Sequence, residues 1–280
     1  MTTIAVIGAG TMGSGISQVA AQHGYRVLML DAEPGAVVRA RMRTGERLAK
    51  AVKEGKLSAT DREGILDRLV EADWADFGEA SLAIEAVLEI MDVKKEIFSR
   101  LDAVLPGDAV LATNTSSLSV TEIAKATKRP DRVVGMHFFN PAPVMKLVEI
   151  VRGEETSDET VDVAQRAAQA MGKETVLVAK DTPGFIVNRV LMPLFIEAMR
   201  ILEEGIASPE DIDKAVKLGL NHPMGPLTLA DLTGLDVDLH VMDYMFNEFH
   251  DDRFAAPLVL RRLVRAGRLG RKTGHGFYRY

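Results

Sequence analysis

A histidine and a glutamate on neighbouring apolar segments have residue types and spacing that could carry out chemistry. His137 ends one segment, and Glu149 lies within the next, Lys146 to Val151. A carboxylate inside such a strand needs a partner, because burying an unpaired charge is costly. If the two segments return as an antiparallel hairpin centred near residue 142, position 137 falls opposite about 148 and Glu149 is a near neighbour of His137. Such a pair can take up and return a proton near neutral pH.

Two other interpretations of these residues stay open. A single histidine at a strand end is more often structural than catalytic, and the connection between the segments could be longer than a hairpin. Glu149 could instead form a salt bridge to a lysine or arginine on the sheet surface. We rank the structural histidine and the surface salt bridge below the proton-transfer pair, because the otherwise apolar strand around Glu149 favours a buried partner.

A glycine-rich turn near the N-terminus predicts a phosphate-binding site, with the sequence Gly8-Ala9-Gly10-Thr11-Met12-Gly13. It follows an apolar strand and opens a helix, which is the setting in which G-x-G-x-x-G binds a dinucleotide. Gly8 is expected to make the tight turn, Gly10 to let the pyrophosphate approach the backbone, and Gly13 to let the helix pack on the sheet. The N–H groups at the helix start favour the diphosphate.

Asp31 at the end of the second apolar strand predicts which dinucleotide binds. A carboxylate there accepts hydrogen bonds from the ribose hydroxyls and repels a 2′-phosphate. Ala32 next to it offers no arginine for such a phosphate. The sequence therefore predicts NAD rather than NADP. The alternative is a structural glycine turn followed by a surface aspartate that caps the next helix.

The elements that must position these residues alternate between strands and helices. Strands are predicted at Thr3 to Ile7, Arg26 to Asp31, Leu82 to Ala86, Ala109 to Thr113, Arg132 to His137, Lys146 to Val151 and Thr175 to Val178. Helices include Met12 to His23, Pro34 to Lys56, one starting at Ser58, and Asp92 to Val104. This alternation is typical of an α/β doubly wound, mostly parallel, Rossmann-like sheet.

The second part of the chain predicts a smaller all-helical domain. Helices are expected at Phe185 to Glu204, Pro209 to Leu218, Thr228 to Phe249 and Ala255 to Ala266, with no clear strand pattern until Phe277. We therefore predict a dinucleotide-binding domain over 1–182 and a helical domain over 183–280.

Composition excludes several classes of function. The 280 residues contain no cysteine, which rules out a thiol nucleophile, a disulfide framework and a Cys-ligated metal. The formal charge of −6 and the lack of a long basic run argue against nucleic acid as a partner. No run is apolar enough to span a bilayer and no targeting segment is apparent, so we expect a cytoplasmic protein. The remaining histidines lack acid partners or ligand spacing, so no metal is expected.

Several segments together resemble the 3-hydroxyacyl-CoA dehydrogenase family, in its short-chain 3-hydroxybutyryl-CoA subgroup. They are IAVIGAGTMGSGI (4–16), NTSSLS (114–119), GMHFFNPAPVMKLVEIV (135–151), KDTPGFIVNR (180–189), HPMGPLTLADLTGLD (222–236) and GRKTGHGFY (270–278). They cover the whole chain in order. The resemblance implies NAD-dependent oxidation of (S)-3-hydroxyacyl-CoA, with 3-hydroxybutyryl-CoA expected, in fatty-acid or butanoate metabolism.

The resemblance also assigns roles to individual residues of the reaction centre. It makes His137 and Glu149 the catalytic pair and Ser116 the hydroxyl on the reacting oxygen, with Ser117 the expected helix cap. It gives Asn188 an orienting bond to the substrate in a cleft between the domains, where a helix–helix hydrogen bond is the plainer alternative. It places Asn140 near the nicotinamide ribose.

Five further charged positions are expected at the cofactor and at coenzyme A. The resemblance places Glu89, Lys94 and Lys272 near NAD; without it, the first two would be helix-terminal charges on a solvated face and the third an ordinary surface lysine. The predicted basic helix from Pro34 to Lys56 suits the phosphates of coenzyme A, with Lys50 and Lys53 as the expected contacts. A merely solvated helix has equal weight, and Arg47 stands where the family has a serine.

The sequence leaves two rival functions and one expected partner. A related dehydrogenase of a free hydroxy acid, such as L-gulonate, shares this fold, and a non-catalytic NAD-binding protein could reuse the scaffold. The intact set of Ser116, His137, Glu149 and Asn188 argues against the second. Because Phe185 to Glu204 is apolar around too much of its circumference to face water, we expect a homodimer through the second domain.

Overall fold

The computed structural model describes residues 2–280, and its internal contacts divide the chain between Asp181 and Thr182 into two compact units. The boundary proposed from the sequence, after residue 182, lies one position away. Each unit has its own cluster of buried apolar residues.

The first unit is built on one eight-stranded sheet, whose order is β3-β2-β1-β4-β5-β6-β7-β8. The strands are β1 (Thr3–Ile7), β2 (Arg26–Leu30), β3 (Leu69–Glu71), β4 (Leu82–Glu85), β5 (Val110–Thr113), β6 (Val133–Phe138), β7 (Leu147–Val151) and β8 (Glu174–Val178). The first six are mutually parallel, β7 runs antiparallel to β6, and β8 runs parallel to β7. This sheet confirms the predicted mostly parallel Rossmann-like architecture. Strand β3 was not predicted, because three residues are too few to show a period.

Helices connect the strands of this sheet. They are α1 (Thr11–Gln22), α2 (Ala36–Lys53), α3 (Ala59–Asp67), α4 (Met91–Val104), α5 (Val120–Ala124) and α6 (Asp158–Ala170). Central strands of the sheet, for example β1 and β6, are buried at every residue. Continuous burial is expected where helices cover both faces of a parallel sheet, and it explains why these strands read as apolar runs rather than as alternations.

The second unit is helical, as predicted. It contains α7 (Val187–Glu203), α8 (Pro209–Gly219), α9 (Pro226–Thr233), α10 (Leu235–Phe249) and α11 (Leu258–Arg265). The prediction of one helix from Thr228 to Phe249 is wrong, because Gly234 interrupts it with a φ of 106°. Glycine adopts such a conformation without the steric cost that a Cβ would bring.

A buried aspartate fixes the C-terminal segment within this second unit. Asp231 is 1% exposed, and its carboxylate accepts hydrogen bonds from the backbone N–H groups of Phe277 and Tyr278, each at 2.9 Å. Instead of a strand at Phe277, the segment forms single bridges from His275 to Gly270 and to Arg279. Across residues 2–280, no helix has the length and apolar character needed to cross a membrane.

Candidate active site

His137 and Glu149 face each other on the antiparallel pair β6 and β7. The register pairs the two residues directly, and His137 Nδ1 lies 2.7 Å from Glu149 Oε2. The hairpin is centred on residue 143, so the expected pairing of position 137 with 148 is one residue off. Directly paired residues of antiparallel strands project from the same face, which brings the ring and the carboxylate together. His137 is 6% exposed and Glu149 is fully buried.

Lys173 holds the connection between these two strands, a role that the sequence did not reveal. Its ammonium donates hydrogen bonds to the carbonyl oxygens of Ala142 at 2.6 Å and Met145 at 2.8 Å. Burial lowers the pKa of Lys173, whose exposed fraction is only 8%. The sequence provided no signal for this contact. Every residue has a backbone carbonyl, so residue types do not indicate which carbonyls a lysine binds.

Ser116 lies in the loop after β5, next to the strand that carries His137. Strands β5 and β6 are hydrogen-bonded neighbours. Asn114 at the start of this loop accepts a hydrogen bond from the backbone N–H of Phe138 at 2.8 Å, through Oδ1. That bond ties the serine loop to the residue that follows His137. The carboxyl ends of adjacent strands therefore carry both predicted residues, where doubly wound sheets bind their ligands.

The prediction that Ser117 caps the following helix is wrong. Helix α5 begins at Val120, and the Oγ of Ser119 accepts the hydrogen bond from Glu122 N at 3.1 Å. Ser117 instead donates its backbone N–H to Glu89 Oε1 at 3.2 Å. The loop thus extends two residues further than expected, because its N–H groups are bound by a carboxylate from another segment.

Lys94, which is buried, and Glu89, which is partly exposed, belong to a polar cluster beside the serine loop. Lys94 is 1% exposed, so the alternative of a solvated surface charge is wrong for this lysine. Its Nζ lies 3.3 Å from Glu89 Oε2, while Glu89 Oε1 accepts the hydroxyl of Thr115 at 2.5 Å and the N–H of Ser116 at 2.8 Å. Burial raises the pKa of Glu89, but the Lys94 charge and these hydrogen bonds outweigh it, so the net pKa is lowered.

The glycine turn is closely packed against the backbone at Gly8 and Gly13 and open at Gly10. A Cβ on Gly8, whose φ is +101°, would lie 2.5 Å from the carbonyl oxygen of Ala86, and one on Gly13 would lie 1.8 Å from that of Gly8. Gly10 has no atom within 4 Å of such a position, so its backbone is open to a ligand. Thr11 and Met12 open helix α1, whose first N–H groups favour an anion. These residues fit NAD.

Asp31 closes this turn and borders an acidic cavity. Its Oδ2 accepts the N–H of Ala9 at 2.6 Å, and its Oδ1 accepts the N–H of Glu33 at 2.9 Å. The cavity at the end of β2 has a volume of about 260 Å³ and is lined by Leu30, Asp31, Glu33, Pro34, Val37, Glu71, Ala72, Asp73 and Asp76. Five carboxylates around one cavity would repel a ribose 2′-phosphate more strongly than Asp31 alone.

Arg43 near the turn was not singled out from the sequence. Its guanidinium donates a hydrogen bond to the carbonyl oxygen of Ala9 at 3.2 Å. The cation therefore lies beside the loop that fits the diphosphate. Arg47 donates to the side chain of Gln18 on α1 at 2.8 Å, so it belongs to the packing of α2 on α1.

The other predicted contacts of the first unit lie at its surface. Asn140 is exposed in the loop after β6. The side chain of Lys50 is 79% exposed, with its Nζ 4.0 Å from Glu54 Oε1, and Lys53 is also exposed in the last turn of α2. Exposure leaves both lysines able to meet a phosphate.

The second unit carries two of the predicted site residues. Asn188 is half-buried in the first turn of α7. Lys272 forms an ion pair with Asp236, at 2.5 Å between Nζ and Oδ1. Among residues 2–280, no group of three or more His, Asp or Glu side chains has the arrangement of a metal site.

Two family models match the chain, one for each part. The model described as "3-hydroxyacyl-CoA dehydrogenase, NAD binding domain" matches residues 3–182. The model described as "3-hydroxyacyl-CoA dehydrogenase, C-terminal domain" matches residues 184–280.

Individual relatives agree with these models. A protein named 3-hydroxybutyryl-CoA dehydrogenase from Clostridioides difficile is 47% identical over 99% of both chains. One named 3-hydroxyadipyl-CoA dehydrogenase from Escherichia coli is 49% identical over 99% of this chain and 58% of its own. The crystal structure of (S)-3-hydroxybutyryl-CoA dehydrogenase from Ralstonia eutropha is similar to this structure with a TM-score of 0.95, at 43% identity, over 100% and 99% of the two chains.

Proposed function

Because the chain belongs to the 3-hydroxyacyl-CoA dehydrogenase family, we propose that it oxidises (S)-3-hydroxybutyryl-CoA to the 3-oxoacyl-CoA, with NAD as the acceptor, and catalyses the reverse reduction. The observation that carries this proposal is the buried contact of 2.7 Å between His137 and Glu149. An NAD-dependent oxidation of a secondary alcohol needs a general base, here the imidazole of His137, to take the hydroxyl proton.

His137 acts as the base in the proposed oxidation. Bound NAD supplies the hydride acceptor. Since Nδ1 faces Glu149, the hydroxyl proton of the substrate passes to Nε2. Glu149 holds the ring in the tautomer that accepts at Nε2 and stabilises the imidazolium that forms, as the acid of a Ser-His-Asp triad does. In the reverse direction protonated His137 returns the proton to the 3-oxo oxygen.

Ser116 and Asn188 are proposed to orient the substrate. The Ser116 hydroxyl would donate a hydrogen bond to the reacting oxygen, which stabilises the charge that develops there. Asn188 would bind the substrate through its amide. The relatives' names support only the substrate class that these two side chains would orient, since the relatives are named as dehydrogenases of 3-hydroxybutyryl-CoA.

The cofactor and the thioester carrier are proposed to use separate parts of the chain. The diphosphate of NAD would lie on the glycine turn, its adenosine ribose on Asp31, and its nicotinamide ribose near Glu89, Lys94 and Asn140. Lys272 is proposed to reach the same cofactor. The phosphates of coenzyme A would meet Lys50 and Lys53, which the observed exposure of both side chains supports.

A homodimer through the helical unit is part of the proposal. Large apolar side chains of this unit remain exposed, with Val190 at 70%, Leu218 at 75% and Leu258 at 68%. Pairing with a second copy would bury such side chains. Light scattering at micromolar concentration tests this, and a monomeric mass would refute it. The cytoplasmic location stays a prediction.

Initial-rate measurements test the activity and its substrate class. The enzyme is assayed with NADH against acetoacetyl-CoA, longer 3-oxoacyl-CoA chains, a 3-oxoadipyl-CoA thioester and free acetoacetate. We expect the highest kcat/KM with acetoacetyl-CoA and negligible turnover of the free acid. The adipyl thioester is included because one relative is named 3-hydroxyadipyl-CoA dehydrogenase.

Each other outcome of this assay points elsewhere. A higher kcat/KM for the adipyl thioester would change the substrate but keep the reaction. Turnover of the free acid alone would indicate a hydroxy-acid dehydrogenase such as an L-gulonate enzyme. NADH binding without turnover of any of them would favour a non-catalytic NAD-binding protein.

A further inference from the structure

A closed ring of polar contacts lies beneath the serine loop. Lys94 Nζ donates to Glu85 Oε1 at 2.7 Å and lies 3.3 Å from Glu89 Oε2. Glu89 Oε1 accepts from the hydroxyl of Thr115 at 2.5 Å. The backbone N–H of Thr115 donates to Thr113 Oγ1 at 3.3 Å, and the Thr113 hydroxyl donates to Glu85 Oε2 at 2.7 Å. The ring joins the end of β4, the start of α4 and the end of β5.

The Glu85 carboxylate is the fully buried member with the most donors. It has no exposed surface, and its two oxygens accept from Val87 N, Lys94 Nζ and Thr113 Oγ1 at 2.7–2.8 Å. Burial of a carboxylate is costly unless its oxygens are all satisfied, and here they are. Nothing in the proposed reaction uses this group.

Glu89 is the member that reaches the serine loop. Its Oε1 accepts the N–H groups of Ser116 at 2.8 Å and Ser117 at 3.2 Å, and lies 3.2 Å from Ser116 Oγ. The Glu89 side chain is 26% exposed, so water competes for it. Lys94 draws its other oxygen inward, and Lys94 is itself held by Glu85.

We propose that Glu85 is a positioning residue for the reaction, because it fixes Lys94, which holds Glu89 against the loop and thereby sets the place of the Ser116 hydroxyl. This proposal rests on the proposed function, in which Ser116 contacts the reacting oxygen. The ring contains two carboxylates and one ammonium. Without the negative charge of Glu85, Glu89 is the only carboxylate that binds Lys94 within the ring. The ammonium of Lys94 then pulls the Glu89 side chain away from the serine loop.

The variant Glu85→Gln tests the proposal. Glutamine keeps the shape of glutamate but offers one acceptor oxygen, and its amide NH2 would point at a second donor, Lys94 or Thr113. We expect kcat to fall by about tenfold to 100-fold, the scale of an ångström-sized misplacement of a reacting group, with a smaller change in KM for acetoacetyl-CoA. Thr113→Val removes the hydrogen bond to Glu85 and the longer one from the Thr115 N–H without changing charge, and it should lower kcat in the same direction by less.

Asp102→Asn is the matched control. Asp102 also lies on α4 and forms a largely buried ion pair, with Arg129 Nε at 2.7 Å, but that pair is outside the ring. This variant should lose stability while kcat stays within about twofold of wild type, as expected for an ion pair whose hydrogen-bond partners are not members of the ring.

A double variant separates positioning from a general structural effect. In the Ser116→Ala background, Glu85→Gln should change kcat by no more than about twofold, because two residues that act as one unit are not additive. A readout without cofactor comes from hydrogen exchange of the free enzyme. The backbone amides of Ser116 and Ser117 should exchange at least about tenfold faster in Glu85→Gln and unchanged in Asp102→Asn.

Three results would overturn the proposal. They are an unchanged kcat in folded Glu85→Gln, a full multiplicative loss in the double variant, or unchanged exchange at Ser116 and Ser117. If Glu85→Gln does not fold, Thr113→Val decides by the same measurements. Failure of the proposed function is distinct, because wild type would then not reduce acetoacetyl-CoA, or Ser116→Ala would not lower kcat.

Discussion

The imidazole of His137 and the carboxylate of Glu149 lie directly opposite each other on antiparallel strands, 2.7 Å apart and almost wholly removed from solvent. Twelve positions separate them in the chain. The strand pairing alone brings them to the same face of the sheet. This relationship leads to the sharpest test of the site.

Replacing either member of the pair should abolish most turnover while the fold and NADH binding remain. His137→Gln should lower kcat by on the order of 10²–10⁴-fold, the usual contribution of general acid–base catalysis. Glu149→Gln should also lower kcat, because the neutral amide no longer stabilises the imidazolium. The double variant should be little worse than His137→Gln, which steady-state kinetics and fluorescence titration of NADH will show. Multiplicative losses would make Glu149 a structural acid.

Asp31 should favour NAD over NADP together with the other carboxylates that line the same cavity. In Asp31→Ala, NADH binding should weaken because the contacts of that carboxylate are lost. The preference over NADPH should narrow without reversing, since Glu33, Glu71, Asp73 and Asp76 still line the cavity. Cofactor titrations of wild type and variant measure this. Equal turnover of NADH and NADPH by wild type would contradict the prediction.

Removing two lysines from α2 should weaken the binding of the CoA substrate and leave the binding of NADH unchanged. The change Lys50→Ala with Lys53→Ala should raise KM for acetoacetyl-CoA, because a hydrogen bond to a charged group is worth about 1.5–3 kcal/mol. NADH binding should not change. The matched control is Lys214→Ala with Lys217→Ala, which removes the same charge from exposed positions of α8. An unchanged KM at low salt in the first pair would move the CoA site elsewhere.

Asp238 should make the helical unit less stable as pH rises. Burial, followed by the nearby charge of Asp236, raises the pKa of Asp238 to about 8, although the Thr233 hydroxyl and Lys272 oppose the shift. The folded state therefore holds this proton more tightly than the unfolded state. The contribution to stability is fully present below the unfolded pKa of about 4 and is lost as pH rises to about 8, by up to about 1.4 kcal/mol per pH unit.

Urea unfolding of Asp238→Asn across this pH range checks the sign. The variant should unfold with a weaker pH dependence, and its stability relative to wild type should increase with pH. Parallel curves for wild type and Asp238→Asn would contradict the prediction.

Residue types and spacing were sufficient for the fold class and, through the motifs that carry the resemblance, for the family, while the roles of the candidate site residues stay predictions. Apolar runs ended by glycine predict buried strands, and Gly8, Gly10 and Gly13 have roles that depend only on the missing Cβ. Such signals are local, because each depends on backbone conformation or on periods of a few residues. Strand β3 and the break at Gly234 were missed, since a three-residue strand and a single glycine are too short for a period to register.

The tertiary structure decided which side chains meet. Residue types did not reveal that Lys94 is buried between two glutamates, that Ser119 rather than Ser117 caps α5, or that Lys173 binds the carbonyls of the loop between β6 and β7. Even the register of His137 on Glu149 was one residue off. Each partner comes from a distant part of the chain or from the backbone, so the contact exists only after the strands pair and the helices pack against them, and no local pattern encodes it.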